Sequence, residues 1–83
     1  MDWTAEERAR GYSADVRMYL TIRGDVLRIA QLGPDFLILR NTAEYPPCEA
    51  EITISIDGDE RRWRVYLPDG ISWVRVETRT LSP

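Results

Sequence analysis

Residues 49–67 read EAEITISIDGDERRWRVYL, and this stretch decides the fold. Ala50, Ile52, Ile54 and Ile56 alternate with Glu49, Glu51, Thr53, Ser55 and Asp57; beyond the turn, Arg61, Trp63, Val65 and Leu67 alternate with Arg62, Arg64 and Tyr66. A period of two sends successive side chains to opposite faces of a strand. Asp57-Gly58-Asp59 is turn chemistry, so the segment reads as a β-hairpin. A turn centred on Gly58-Asp59 pairs Ile54 with Trp63 and Ile52 with Val65 on the buried face. The same register sets Ser55 opposite Arg62, Thr53 opposite Arg64 and Glu51 opposite Tyr66, with Glu51 diagonal to Arg64 on the wet face.

The period of two continues upstream. Val16, Met18, Leu20 and Ile22 alternate with Arg17, Tyr19, Thr21 and Arg23, and Gly24-Asp25 signals a turn. Residues 26–32 form a second strand, ended by Gly33-Pro34-Asp35. Phe36-Leu37-Ile38-Leu39 is an unbroken apolar run, expected to be covered on both faces. Tyr45-Pro46-Pro47 lacks ladder donors and reads as a loop into the hairpin. After Pro68-Asp69-Gly70, residues 72–78 read as a last strand with Val74 and Val76 facing in. The one helix pattern is residues 4–10, where Thr4 and Glu7 fit a capping box, Gly11 a stop and Trp3 a docking side chain. The expected fold is mainly β: a small six-stranded antiparallel barrel with a short N-terminal helix. It is one domain over residues 1–83, with 1–12 a helical cap and 80–83 a frayed tail.

Composition narrows the chemistry. The 83 residues are 43% hydrophobic and carry a formal charge of −3, and all 11 basic side chains are Arg. There is no His and no Lys, which removes imidazole base catalysis, Schiff-base chemistry and His-containing metal sites. A domain this small buries only about 60–65% of its unfolded surface, so one core must suffice, with three Trp, Phe36, four Tyr and many Ile, Leu and Val as candidates. Cys48 has no disulfide partner, which points to the cytoplasm. No run reaches the roughly 18 apolar residues of a membrane span, and the acidic N-terminus is unlike a secretory signal.

Several clusters invite a function. Asp57, Asp59 and Glu60 have oxygen ligands for a hard cation, but hairpin turn chemistry explains them more simply. Arg61, Arg62 and Arg64 around Trp63, with Tyr66 beyond, have the mixture of cations and rings that holds single-stranded nucleic acid. The acids Glu49, Glu51 and Glu60 beside them, and the net negative charge, favour a solvated, ion-paired face. Arg17, Arg23 and Arg28, with Tyr19, form a second basic group suited to a phosphate or carboxylate. Cys48 lacks an activating base and reads as a packing residue. The serines likewise have no imidazole or lysine partner, so no catalytic residue, metal ligand or cofactor is assigned. Trp73, beside Arg75, is expected either on the outer face or beneath the helix next to Trp3.

Residues 27–39 (LRIAQLGPDFLIL), 45–52 (YPPCEAEI) and 61–65 (RRWRV) together resemble the PilZ family of small bacterial barrels in layout. In that family a strand leads through a turn to an apolar strand, and a proline-marked loop introduces a long hairpin. The members that bind cyclic di-GMP use an RxxxR segment before the first strand and a [D/N]xSxxG turn. Here Arg8 and Arg10 do not stand four apart, and residues 30–35 (AQLGPD) lack the acid or amide, the serine and the glycine at their places. The resemblance therefore implies a protein-interaction module that does not hold the dinucleotide in the family's way.

The function expected from the sequence is a non-catalytic cytosolic module that binds a protein partner or a second copy of itself through Arg62, Arg64, Tyr66 and Trp73. An alternative is a PilZ-like sensor of an anionic nucleotide, using Arg17, Arg23 and Arg28. Single-stranded nucleic-acid binding along the Trp63 strand is a further, weaker one.

Overall fold

The computed structural model describes residues 16–81. Among them lie seven strands: β1 Val16–Ile22, β2 Asp25–Leu32, β3 Phe36–Leu39, β4 Cys48–Ile56, β5 Asp59–Leu67, β6 Arg75–Glu77 and β7 Arg79–Thr80. All neighbours are antiparallel, in the order β6-β3-β2-β1-β4-β5-β7. The two edge strands are separated in the chain by Thr78 alone, so the sheet curls into a nearly closed barrel. The expected N-terminal helix and its Trp3 lie outside the described residues.

Two hairpins follow the same rule. Arg23-Gly24 and Asp57-Gly58 both have positive φ (50° and 87°, 50° and 92°). Positive φ at both central positions is the mark of the type I′ turn, whose twist matches that of the flanking strands. The β4–β5 turn is therefore centred one residue earlier than Gly58-Asp59, and the expected register shifts by two. Ile56 pairs with Asp59, Ile54 with Arg61, Thr53 with Arg62, Ile52 with Trp63, Glu51 with Arg64 and Ala50 with Val65. A shift of two keeps every side chain on its face. Likewise Ile22 pairs with Asp25 around Arg23-Gly24, so β2 begins at Asp25.

The inner faces meet in an aliphatic core: Leu20, Ile22, Ile29, Leu37, Leu39, Ala50, Ile52, Val65, Leu67, Ile71 and Val76. Among the described residues no aromatic side chain belongs to this buried set. Trp63 and Tyr45 pack at the core margin, and Trp73 is exposed. A small barrel interior is filled by side chains of limited width. Cys48 also packs against the core. In β3 only Leu37 and Leu39 are buried; Phe36 and Ile38 are half-buried on the outer side. There the Arg75 guanidinium stacks on the Phe36 ring, 4.2 Å from its centroid.

The expected last strand is two. β6 pairs with β3, through Leu37 and Val76. Thr78 is buried and its N–H donates to the Asp35 carbonyl at 3.0 Å. The chain then crosses to β5, where Thr80 pairs with Val65 and Arg79 with Tyr66. Thr80 is thus in a strand, and the Leu81 N–H donates to the Arg64 carbonyl at 3.1 Å.

The Pro-Pro loop is pinned at Tyr45, which exchanges both backbone hydrogen bonds with Ile71 (2.9 and 2.8 Å). Gly70 permits this approach: at φ 62° it passes so close that an added Cβ would meet the Tyr45 carbonyl oxygen at 2.1 Å. Gly70→Ala is expected to cost about 2 kcal/mol or more, read as a lower urea midpoint. The Tyr45 hydroxyl donates to Asp25, and this bond raises the phenol pKa. A raised folded pKa favours the neutral form. Its contribution is therefore complete below about pH 10, the ordinary tyrosine value, and fades as pH climbs through the folded value. Tyr45→Phe should flatten the alkaline limb of the stability curve above about pH 10.

Candidate functional site

β1 keeps its ladder with β4 to the last pair, Val16 with Ile56. Its ladder with β2 stops at Tyr19 and Arg28. Beyond that pair β2 has an irregularity between Ile29 and Gln31 and turns toward β3. Such a bulge bends the strand and re-aims its side chains. The two strands part, and a groove of about 210 Å³ opens between them.

Arg17, Tyr19, Arg28 and Arg40 line this groove, with Val16, Met18, Ile29 and Ala30 completing it. Tyr19 and Arg28 are direct cross-strand neighbours and share the outer face. Arg17 stands two residues along the same face of β1. Arg40 arrives through β3: its N–H donates to the Arg28 carbonyl at 3.0 Å, which fixes it beside Arg28. No carboxylate is among the described residues of the lining. Among the described residues neither Arg28 nor Arg40 has an ion-pair partner. By the alternation of an antiparallel ladder, the Met18 N–H and carbonyl point toward the gap. The arrangement has the parts needed to hold a small anion: planar guanidinium forks, a phenol and backbone donors.

Of the anion residues expected from the sequence, Arg17 and Arg28 come together. Arg23 does not: it occupies the β1–β2 turn, at the other end of the strand. Arg40 takes its place. It follows the buried Leu39, so its outward direction was readable from alternation, but its position beside Arg28 depends on the β2–β3 register.

The other expected surface divides. Arg62, Arg64 and Tyr66 share the outer face of β5. Arg62 pairs with Glu60 at 2.8 Å, and Arg64 with Glu49. The Glu60 carboxylate raises the Arg62 pKa further, so that guanidinium is permanently charged. Both pairs are well exposed. Trp73 lies beyond the β5–β6 turn, 62% exposed, and the next residue, Val74, accepts the Leu39 N–H at 2.8 Å. That places it near β3, away from the β5 arginines. Asp57 forms the hairpin turn, and Asp59 and Glu60 begin β5.

No protein-family model, curated protein or solved structure matches the chain. No helix among the described residues is long and apolar enough to cross a membrane.

Exposed ion pairs contribute little. Arg64→Ala and Glu49→Ala, singly and together, should give a coupling of at most about 1 kcal/mol in a double-mutant cycle of unfolding free energies.

Proposed function

We propose that this protein is a non-catalytic cytosolic binding module whose ligand is a small phosphate-bearing anion, with a nucleotide as the first class to test. One observation carries this: three guanidiniums converge with Tyr19 on a single groove that no carboxylate among the described residues lines. Arg28 and Arg40, without acidic partners among those residues, keep their donors for a ligand. The absence of His and Lys supports binding over catalysis, and the lone Cys48 supports a reducing compartment. The PilZ likeness enters as strand layout only, and the ligand residues proposed are drawn from the groove.

The β5 face supports a different role. Arg62 and Arg64 already have carboxylate partners, so the face suits contact with protein better than capture of a free anion.

The test is thermal unfolding with pyrophosphate and with a mononucleotide as probes. A ligand that binds only the folded state raises the melting temperature by mass action. Arg28→Ala and Arg40→Ala should each weaken binding about tenfold or more, as expected for a lost charge-assisted contact, whereas Arg23→Ala should leave it unchanged. Binding should also weaken with added salt. No stabilisation by either probe at millimolar concentration, or equal binding by all three variants, overturns the proposal.

A further inference from the structure

β5 is paired with β4 along all nine of its residues. On its other side β7 reaches only Val65 and Tyr66, and the Leu81 N–H caps the Arg64 carbonyl. Arg64 thus directs its backbone groups away from β4, and by alternation so do Arg62 and Glu60. Among the described residues nothing covers that edge from Asp59 to Trp63. An uncovered strand edge is a template for another strand, and like charges are a usual means of blocking it. Here the charges are of mixed sign, and their order is Asp59-Glu60-Arg61-Arg62.

We infer that this edge is a self-association surface, on which β5 of a second copy adds in antiparallel fashion about a two-fold axis through Arg61. Face and backbone direction select this register. A two-fold axis normal to the sheet keeps outward side chains opposite outward side chains, and both backbones must present their free groups. Glu60 then faces Arg62 of the second copy, and Arg62 faces its Glu60. Each such pair exchanges both main-chain hydrogen bonds, and its side chains meet on the outer face. The Arg62–Glu60 ion pair within each chain, at 2.8 Å, gives way to the two pairs between chains, so their number is kept. Asp59 of each copy lies diagonal to Arg61 of the other and offsets the approach of the two guanidiniums at the axis. The union joins two short sheets into one, the isologous arrangement that closes on itself as a dimer. It stands apart from the groove, which lies across β4 on the free side of β1.

Charge exchange tests it, with the mass measured by native mass spectrometry and sedimentation velocity from micromolar to near-millimolar concentration. The wild-type chain should form a dimer. Glu60→Arg sets arginine against arginine and Arg62→Glu sets glutamate against glutamate, so each variant alone should raise the dimer dissociation constant at least tenfold. The double variant restores opposite charges and should dimerise again. A mixture of the two single variants should form the mixed dimer in preference to either homodimer. These side chains are exposed, and an unchanged circular dichroism spectrum and melting temperature for the monomers would show that folding is intact. A wild-type chain that stays monomeric throughout, or a dimer indifferent to the single charge reversals, overturns the inference.

Discussion

The sheet depends on a closure one residue wide. Its edges are β6 and β7, and Thr78 is the whole of the connection between them. Backbone continuity, with the Thr78 N–H bound to Asp35, does there what a ladder of hydrogen bonds does at the other seams. The aliphatic interior follows from this closure. Leu37 and Val76 come from one edge of the sheet and Val65 from the strand beside the other, yet all three belong to one core. A barrel also removes most of the exposed edge that an open sheet would present.

Closure at this end leaves the opposite ends of β1, β4 and β5 less constrained, and the candidate sites lie there. Where β2 bends at its bulge to follow β3, it abandons β1, and the outward row of Arg17, Tyr19 and Arg28 becomes the wall of a groove. Arg40 is delivered to the same place by the strand that β2 follows. The inner-face residues of this region thin out as well: Leu20 and Ile52 are fully buried, whereas their strand-mates Val16 and Ile56 are exposed by 49% and 44%. Specific charge groupings and incomplete pairing coincide because both arise where the ladder stops.

Much of the architecture was legible because alternation is a local signal. β1, β4 and β5 were recognisable residue by residue, and a register error of two on β4–β5 left their faces correct. The error arose because Asp57-Gly58 and Gly58-Asp59 are both acceptable turn dipeptides, and only the paired positive φ angles separate them. Arg23 was obscured differently, since an arginine with positive φ breaks the usual preference for Asn, Asp or Gly. The split of the last strand at Thr78 had no local mark at all; a threonine between Glu77 and Arg79 continues an extended pattern equally well. Arg40 was invisible as a site residue for a related reason. Its neighbour Arg28 is found through a bulged register, and bulges depend on the sheet as a whole.

The single-residue closure also orders the events of folding. β1, β4 and β5 can assemble from one local hairpin and one longer connection, and β2 and β3 extend that sheet by tight turns. Closing the barrel takes both β6 and β7, because one covers β3 and the other covers β5. β7 meets β5 over a short stretch of chain, but β6 must find β3 across 39 residues, from Leu37 to Val76, and such non-local contacts form slowly. Until those two short strands have docked, β3 and β5 keep open edges, and an unpaired edge is where a partly folded chain meets other chains.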